Sequence, residues 1–378
     1  MDIHIMPDSF YTKVFIEFMQ KNFNEIKSVF IIISKDRNLK YVDIKNYTNT
    51  KLLLEHKIEN ELLRYVKKCD RIFIHYLRND ECEFICKNKI KAKIYWALWG
   101  SDYYQYITKD LLQPYTKRIV KNLKLNRKVI SIKEQYKKYK YIMYRKKAIQ
   151  RIDYILCAHP AEYHIITRYF KTNARFVPFL YPTPVNQQIV EMSTQLETKI
   201  KHNIKQDFKI LVGNSGNPTN NHADIFEKLY RHRHENIKII VPLSYGDEKY
   251  IKHIIKLGKK LFGKKFVPLT QFLDPHQYAN TLSQIDIAIM NHNRQQAIGN
   301  IITLLYLKKK IFINHSLTTH TFLEDIGIKT YDCNTIQNLT FEQMLSIDNS
   351  ILDNNKNVAE QFFSDYTSKK YMRKIITS

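Results

Sequence analysis

The chain has 378 residues, 44% of them hydrophobic and 13% aromatic, which is material for two packed domains and too apolar for a disordered chain. No apolar run reaches the roughly 18 residues that a membrane-crossing helix needs. The net charge is +25, and the stretch Lys117–Arg151 holds fourteen Lys/Arg against a single acid, Glu134, so a polyanion (lipid headgroups, nucleic acid or a phosphorylated substrate) is a natural partner, with a merely solvated lysine-rich face as the plain alternative.

The first residues, Met1–Asp8, carry two acids and no basic stretch, so they do not read as a signal peptide and retention in the cytoplasm is the expectation. Val29–Ile33 is a short apolar run with the look of a buried strand. Lys51–Lys68 has apolar residues at helical spacing (Leu54, Ile58, Leu62, Tyr65, Val66) and reads as a helix. Arg71–Tyr76, Lys93–Trp99 and Asp153–Cys157 read as further strands, and Arg175–Val177 as the last of this half. Proline-rich Phe179–Pro184 and the polar stretch Gln187–Asp207 mark an inter-domain linker. Beyond it the alternation resumes: strands Phe208–Val212, Ile237–Pro242, Phe266–Leu269, Ile285–Met290 and Lys310–Asn314, with helices Asn221–His232, Tyr250–Phe262, Pro275–Ser283 and Ile298–Leu307. There is no internal repeat. The five cysteines (Cys69, Cys82, Cys86, Cys157, Cys333) are odd in number and scattered, and Cys82/Cys86 lack a second Cys/His pair, so free thiols are expected.

Four polar segments fall where a strand ends. Gly213–Asn214–Ser215–Gly216 with Asn220 follows a strand and opens a helix; its glycines and the helix N-terminus suit a phosphate, and a well-capped tight turn is the plain alternative. Asn291–Asn300 holds Arg294, whose fork fits a diphosphate, Gln295 and Gln296 for sugar hydroxyls, Gly299 for close approach, and Asn300. Val241–Gly246 offers Tyr245 to a phosphate or a base. In the first half, Trp96–Tyr104 holds both tryptophans of the chain with Asp102, which reads as a sugar platform (Trp99) beside a general base (Asp102); His75 ends the preceding strand at the same edge. A buried tryptophan and an Asp cap for a helix Tyr103–Leu112 is the structural reading of the same segment. No Asp-x-Asp occurs in such a loop, and no serine-hydrolase or zinc-protease motif is found.

At these loops the sequence resembles the bacterial TDP-N-acetylfucosamine:lipid II N-acetylfucosaminyltransferases of enterobacterial common antigen synthesis, the 4-alpha-L-fucosyltransferases. The similarity rests on Ile210–Gly216 with Asn220 and His222, Val241–Pro242, Arg294–Gln296 with Ile298–Gly299, and Trp99–Gly100 with Asp102 and Tyr104. It implies an α/β fold of the GT-B type, two Rossmann-like domains facing each other across a cleft, with no cofactor and no obligatory metal. The expected plan is an acceptor-binding domain over 1–185 with basic membrane-facing helices, a nucleotide-sugar domain over 205–345, and a C-terminal helix over 346–378 packing back on the first domain. The donor would be a dTDP-deoxyamino sugar held by Gly213, Asn214, Ser215, Gly216, Asn220, Tyr245, Gln295, Gln296, Gly299 and Asn300, with Arg294 neutralising the leaving diphosphate. The acceptor would be a polyprenyl-diphosphate-linked saccharide met by His75, Trp99 and Asp102 at the cytoplasmic face of the inner membrane, where Lys117–Arg151 would dock on anionic lipid. The competing readings are a GT-B transferase of a different sugar and acceptor, and a basic nucleic-acid-binding protein, since tyrosines alternate with Lys/Arg over Tyr136–Tyr144 although no nucleic-acid module is visible.

Overall fold

Thirteen strands in the described residues form two wholly parallel sheets. The computed structural model describes residues 1–55, 58–124, 132–182 and 207–377. The linker expected over 187–207 lies outside them except for its last residue, as does 125–131 of the basic stretch.

The chain folds as two units: Met1–Ile107, Val129–Pro184 and Phe363–Ser378 in the first, Thr108–Lys128 and Val185–Phe362 in the second. In unit 1 the strands are β1 (Asp2–Pro7), β2 (Ser28–Ser34), β3 (Thr50–Leu54), β4 (Arg71–His75), β5 (Lys93–Ala97), β6 (Tyr154–Cys157) and β7 (Arg175–Pro178), in the order β3-β2-β1-β4-β5-β6-β7. Two of these depart from the reading of the sequence. β1 carries too few apolar residues in a row to stand out, yet its first five positions are buried because β2 and β4 flank it on both sides. Lys51–Lys68 is not one helix: Thr50–Leu54 pairs with β2, and the helix starts only at Ile58. Leu54 fits a helical period and a strand end alike, and the neighbouring strand decides.

Unit 2 has β8 (Phe208–Val212), β9 (Ile237–Pro242), β10 (Phe266–Leu269), β11 (Ile287–Met290), β12 (Lys310–Ile313) and β13 (Tyr331–Asp332), in the order β10-β9-β8-β11-β12-β13. Its core gathers Ile210, Val212, Phe226, Ile239, Ile289 and Phe312, each with no exposed surface. In both sheets the strand order reverses once, between β1 and β4 and between β8 and β11, which opens a crevice at the carboxyl ends of those strands.

The domain plan needs two corrections. Thr108–Lys128, expected in the first domain, belongs to unit 2. Two features tie it there: the Asp224 carboxylate accepts the Tyr115 and Thr116 N–H groups at 2.8 and 3.0 Å and so caps the helix Pro114–Lys124, and Val120 enters the unit 2 core. The basic stretch Lys117–Arg151 is therefore divided between the units. The single helix expected over 346–378 is two: Asn349–Phe362 belongs to unit 2, and only Asp365–Thr377 is part of unit 1, where Met372 and Ile375 pack in the core and Arg71 donates to the Ile375 and Ile376 carbonyls. All five cysteines are free, and among the described residues no helix is long and apolar enough to cross a membrane.

Candidate functional site

The crevice of unit 2 is walled by the loops after β8 and β11, which carry most of the polar residues singled out in the sequence. The β8 loop is a closed, self-bonded turn. Gly213 N–H donates to the Ile289 carbonyl, Asn214 N–H to Asn220 Oδ1 at 2.8 Å, and Gly216 N–H to the Tyr245 carbonyl at 2.7 Å. Asn220, fully buried, also donates through Nδ2 to Ser215 Oγ and the Asn217 carbonyl, and its Oδ1 accepts from His292 Nε2 at 3.0 Å. Burial drives the His292 and His222 imidazoles down to about 3, so His292 bonds as the neutral Nε2–H tautomer.

This corrects the expected role of the two glycines. They do not open N–H groups toward an anion. Gly213 sits at φ +70°, and a Cβ there would meet Asn220 Oδ1 at 2.7 Å; a Cβ on Gly216 would meet Ile251 Cγ1 at 2.2 Å. Their absent side chains admit Asn220 and the neighbouring Tyr245–Gly246 loop, with which Gly216 forms a parallel bridge. Asn220 and Ser215, 0% and 3% exposed, are likewise the scaffold of the turn. The Ser215 N–H is the one in the loop Gly213–Asn217 without a partner among the described residues.

The β11 loop divides in two. Asn291 and Asn293 hold unit 2 together: Gln113 Nε2 donates to both side-chain oxygens at 3.0 Å, Asn291 Nδ2 returns a bond to Gln113 Oε1, and Asn293 Nδ2 donates to the Asp110 carbonyl. The remainder faces the crevice. Gln296 braces the β8 loop, donating to Asn214 Oδ1 and accepting from Thr219 Oγ1. Arg294 and Gln295 are half-buried; Arg294 donates to the Gln295 carbonyl, and the Gln295 amide has no partner among the described residues. The helix Ile298–Tyr306 follows, entered through Ala297 at φ +60° with no side-chain cap, so the N–H groups of Ile298, Gly299 and Asn300 stand open in its first turn. The Asn300 side chain bonds Tyr278. Tyr245 is 57% exposed on the adjoining loop. Next to the β8 loop a cavity of about 550 Å³ lies between Asn217–Thr219, Asp247–Tyr250 and the apolar side chains of Leu111, Leu112, Val120 and Leu123. An open helix N-terminus with a guanidinium and an amide in the loop before it is a receptor suited to a diphosphate.

In unit 1 two expected site residues prove structural. Asp102 is 1% exposed: Oδ2 accepts from Leu77 N–H and Trp96 Nε1–H at 3.1 and 2.9 Å, and Oδ1 accepts from Trp99 N–H at 3.1 Å. Burial pushes its carboxyl upward against these bonds and Arg145. Buried and with both oxygens engaged, Asp102 ties the loops after β4 and β5 together and is not open to an acceptor hydroxyl. His75 is also buried, bonded to Tyr181 through Nδ1 and to His4 through Nε2, and burial lowers its imidazole to about 3. Trp99 alone of the three reaches the surface, half-buried against Tyr11 and Tyr76. Those two tyrosines escape a reading of the sequence; Gln113 gives no signal at all, since an amide that spans 178 positions to Asn291 has no local pattern.

A family model described as 4-alpha-L-fucosyltransferase, glycosyl transferase group 56, matches residues 130–368. Among solved structures, Anabaena HepE in complex with UDP-glucose superposes with a TM-score of 0.64 at 10% identity, with 100% of each chain covered. Sucrose-phosphate synthase from Thermosynechococcus elongatus gives 0.63 at 11% identity, over 100% of this chain and 98% of the other. An alpha-glucosyltransferase in complex with UDP gives 0.55 at 13%, with 100% of each covered. At these identities the likeness concerns the fold, which is the two-domain α/β arrangement of the GT-B type. The chain belongs to the 4-alpha-L-fucosyltransferase family, glycosyl transferase group 56, and is a sugar transferase of GT-B fold.

Proposed function

We propose that this transferase moves a deoxyamino sugar of the N-acetylfucosamine type from a dTDP-sugar to a polyprenyl-diphosphate-linked saccharide in surface polysaccharide synthesis. The observation that carries the donor half is the crevice between β8 and β11, where the β11 loop brings Arg294 and Gln295 to the open first turn of Ile298–Tyr306. The family name and the UDP and UDP-glucose named for its structural neighbours support a nucleotide sugar there. Arg294 and the helix N-terminus would stabilise charge that grows on the leaving diphosphate, and such stabilisation, stronger in the transition state than in the ground state, raises kcat. Tyr245, exposed beside them, would meet a phosphate oxygen or the base. The Gly213–Gly216 turn, Ser215 and Asn220 act by holding this wall in place, with the Ser215 N–H as the direct donor.

The test is turnover with dTDP-, UDP- and GDP-sugars, with and without EDTA. Transfer or slow hydrolysis of one of them, unaffected by EDTA, is expected; inertness toward all of them overturns the donor site. Arg294→Ala should cost donor binding about 1.5–3 kcal/mol, roughly tenfold to a hundredfold in Kd, with an unchanged melting temperature. Equal donor affinity would remove Arg294 from the site.

Membrane docking is proposed for the unit 1 part of the basic stretch. On the helix Ile132–Gln150, Arg145, Ala148 and Ile149 are buried, whereas Tyr136 and Tyr139 are 69% and 62% exposed and Met143 follows on the same face among Lys140, Lys146 and Lys147. Aromatic and aliphatic side chains at i, i+3 and i+7, framed by lysines, suit an anionic lipid interface. Whole protein should sediment with phosphatidylglycerol vesicles at low salt and release at high salt. Preference for RNA over these vesicles would favour a nucleic-acid partner instead.

A further inference from the structure

The crevice of unit 1, between β1 and β4, is lined by the loops that follow those strands, and both bring an aromatic ring against Trp99. The centroid of Tyr11, at the start of the helix Phe10–Asn22, lies 6.2 Å from that of Trp99, with the planes at 72°. The centroid of Tyr76, immediately after β4, lies 5.8 Å away at 66°. All three retain solvent-accessible surface, and Tyr11 is 37% exposed.

Two further observations separate this cluster from ordinary surface aromatics. Tyr76 has φ +75°, a left-handed conformation that an aromatic residue adopts at a cost of about 1–2 kcal/mol. The other non-glycine residues with positive φ include Asn221 and Ala297, which stand in the two loops of the unit 2 crevice. Trp99 is also fixed from beneath. Its indole N–H donates to the Tyr181 hydroxyl at 2.6 Å, and that hydroxyl lies 2.5 Å from His75 Nδ1. His75 Nε2 lies 3.2 Å from His4 Nδ1, deep in the core. With the indole N–H donating into its hydroxyl, Tyr181 donates to His75 Nδ1 and His75 donates from Nε2 to His4 Nδ1, which leaves the buried His4 Nε2 without a partner among the described residues. A half-buried tryptophan with its only polar atom tied inward is a ring held in one orientation.

We propose that Tyr11, Tyr76 and Trp99 form one aromatic platform that takes a pyranose ring of the acceptor saccharide, with Tyr181, His75 and His4 as positioning residues beneath it. Pyranose rings present a face of C–H bonds that packs on such rings, while the sugar hydroxyls stay free for water or polar neighbours. The proposal rests on the reading that unit 1 receives the acceptor, and it extends the role expected of Trp99 to Tyr11 and Tyr76.

The test uses the full chain and the methyl and octyl β-glycosides of glucose, N-acetylglucosamine and N-acetylgalactosamine. Trp96 is fully buried, so a ligand-dependent change in tryptophan emission reports Trp99, and Trp99→Phe is the control. A saturable emission change is expected for at least one glycoside, absent in Trp99→Phe and weakened about tenfold or more in Tyr11→Ala and in Tyr76→Asn, the latter chosen because asparagine tolerates positive φ. Tyr181→Phe should keep the fold, shift the Trp99 emission in the free protein and weaken glycoside binding. No saturable change with any glycoside, or equal affinity in the two tyrosine variants, overturns the platform. A parallel melting-temperature shift with dTDP and UDP reports the donor crevice independently, so failure here leaves the donor reading standing or falling by itself.

Discussion

Asp102→Ala is expected to lower the unfolding free energy by about 3–5 kcal/mol, because it leaves two buried donors and one part-buried donor without an acceptor. The Leu77 and Trp99 N–H groups and the Trp96 indole all bond this carboxylate, and Trp96 and Leu77 have at most 1% of their surface exposed. Asp102→Asn keeps one carbonyl oxygen but turns an NH2 toward backbone N–H groups, so a loss of about 2 kcal/mol is expected. Urea denaturation measures both. The alternative, a general base facing the acceptor, predicts variants of native stability that are inactive. An unchanged unfolding free energy with lost turnover would restore the catalytic reading.

Steep acid destabilisation is the second large effect expected. Burial holds His75, His222 and His292 at about 3, and His4 is lowered as well by burial and by its neighbours His75 and Arg71. In the unfolded chain each titrates near ~6.5. Because the folded pKa is depressed, the unfolded state binds more protons as pH falls below ~6.5, and stability is lost from there down to the folded values. Each histidine contributes a slope of about 1.4 kcal/mol per pH unit in that window, so three or four together cost several kcal/mol by pH ~5. For a protein with the usual ~5–15 kcal/mol of stability, unfolding in mild acid follows. Melting temperatures across this range should fall sharply, and His292→Gln should flatten the slope. A profile flat down to pH ~4 would contradict the neutral, buried assignment of these rings.

Much of unit 2 is legible from the sequence because its strands are short apolar runs separated by amphipathic helices. Phe208–Val212, Ile237–Pro242 and Phe266–Leu269 have the same limits in the sequence reading and in the structure. β1 and β3 are less legible, since Asp2–Pro7 and Thr50–Leu54 become strands by pairing with β2, a contact that no local pattern contains. The polar strand-end loops named from the sequence include those after β8 and β11, but residue type does not distinguish the side chains that stand open from those that build the wall. Asn220 and Arg294 are equally polar in sequence; one is sealed beneath Gly213 and the other stands at the uncapped helix. Asp102 and His75 are similar cases, where a titratable residue near a strand end completes an internal hydrogen-bond set. Tyr11 and Tyr76 lie far apart in sequence and meet at Trp99 only because β1 and β4 are neighbours in the sheet.

The central claim is that the crevice between β8 and β11 holds the donor diphosphate. A crystal structure of the chain with dTDP or UDP bound tests it most directly. The account predicts the diphosphate within hydrogen-bond distance of the Gly299 and Asn300 N–H groups and of the Arg294 guanidinium, beside the Gly213–Gly216 turn. A diphosphate bound elsewhere, touching neither the first turn of Ile298–Tyr306 nor Arg294, would contradict it.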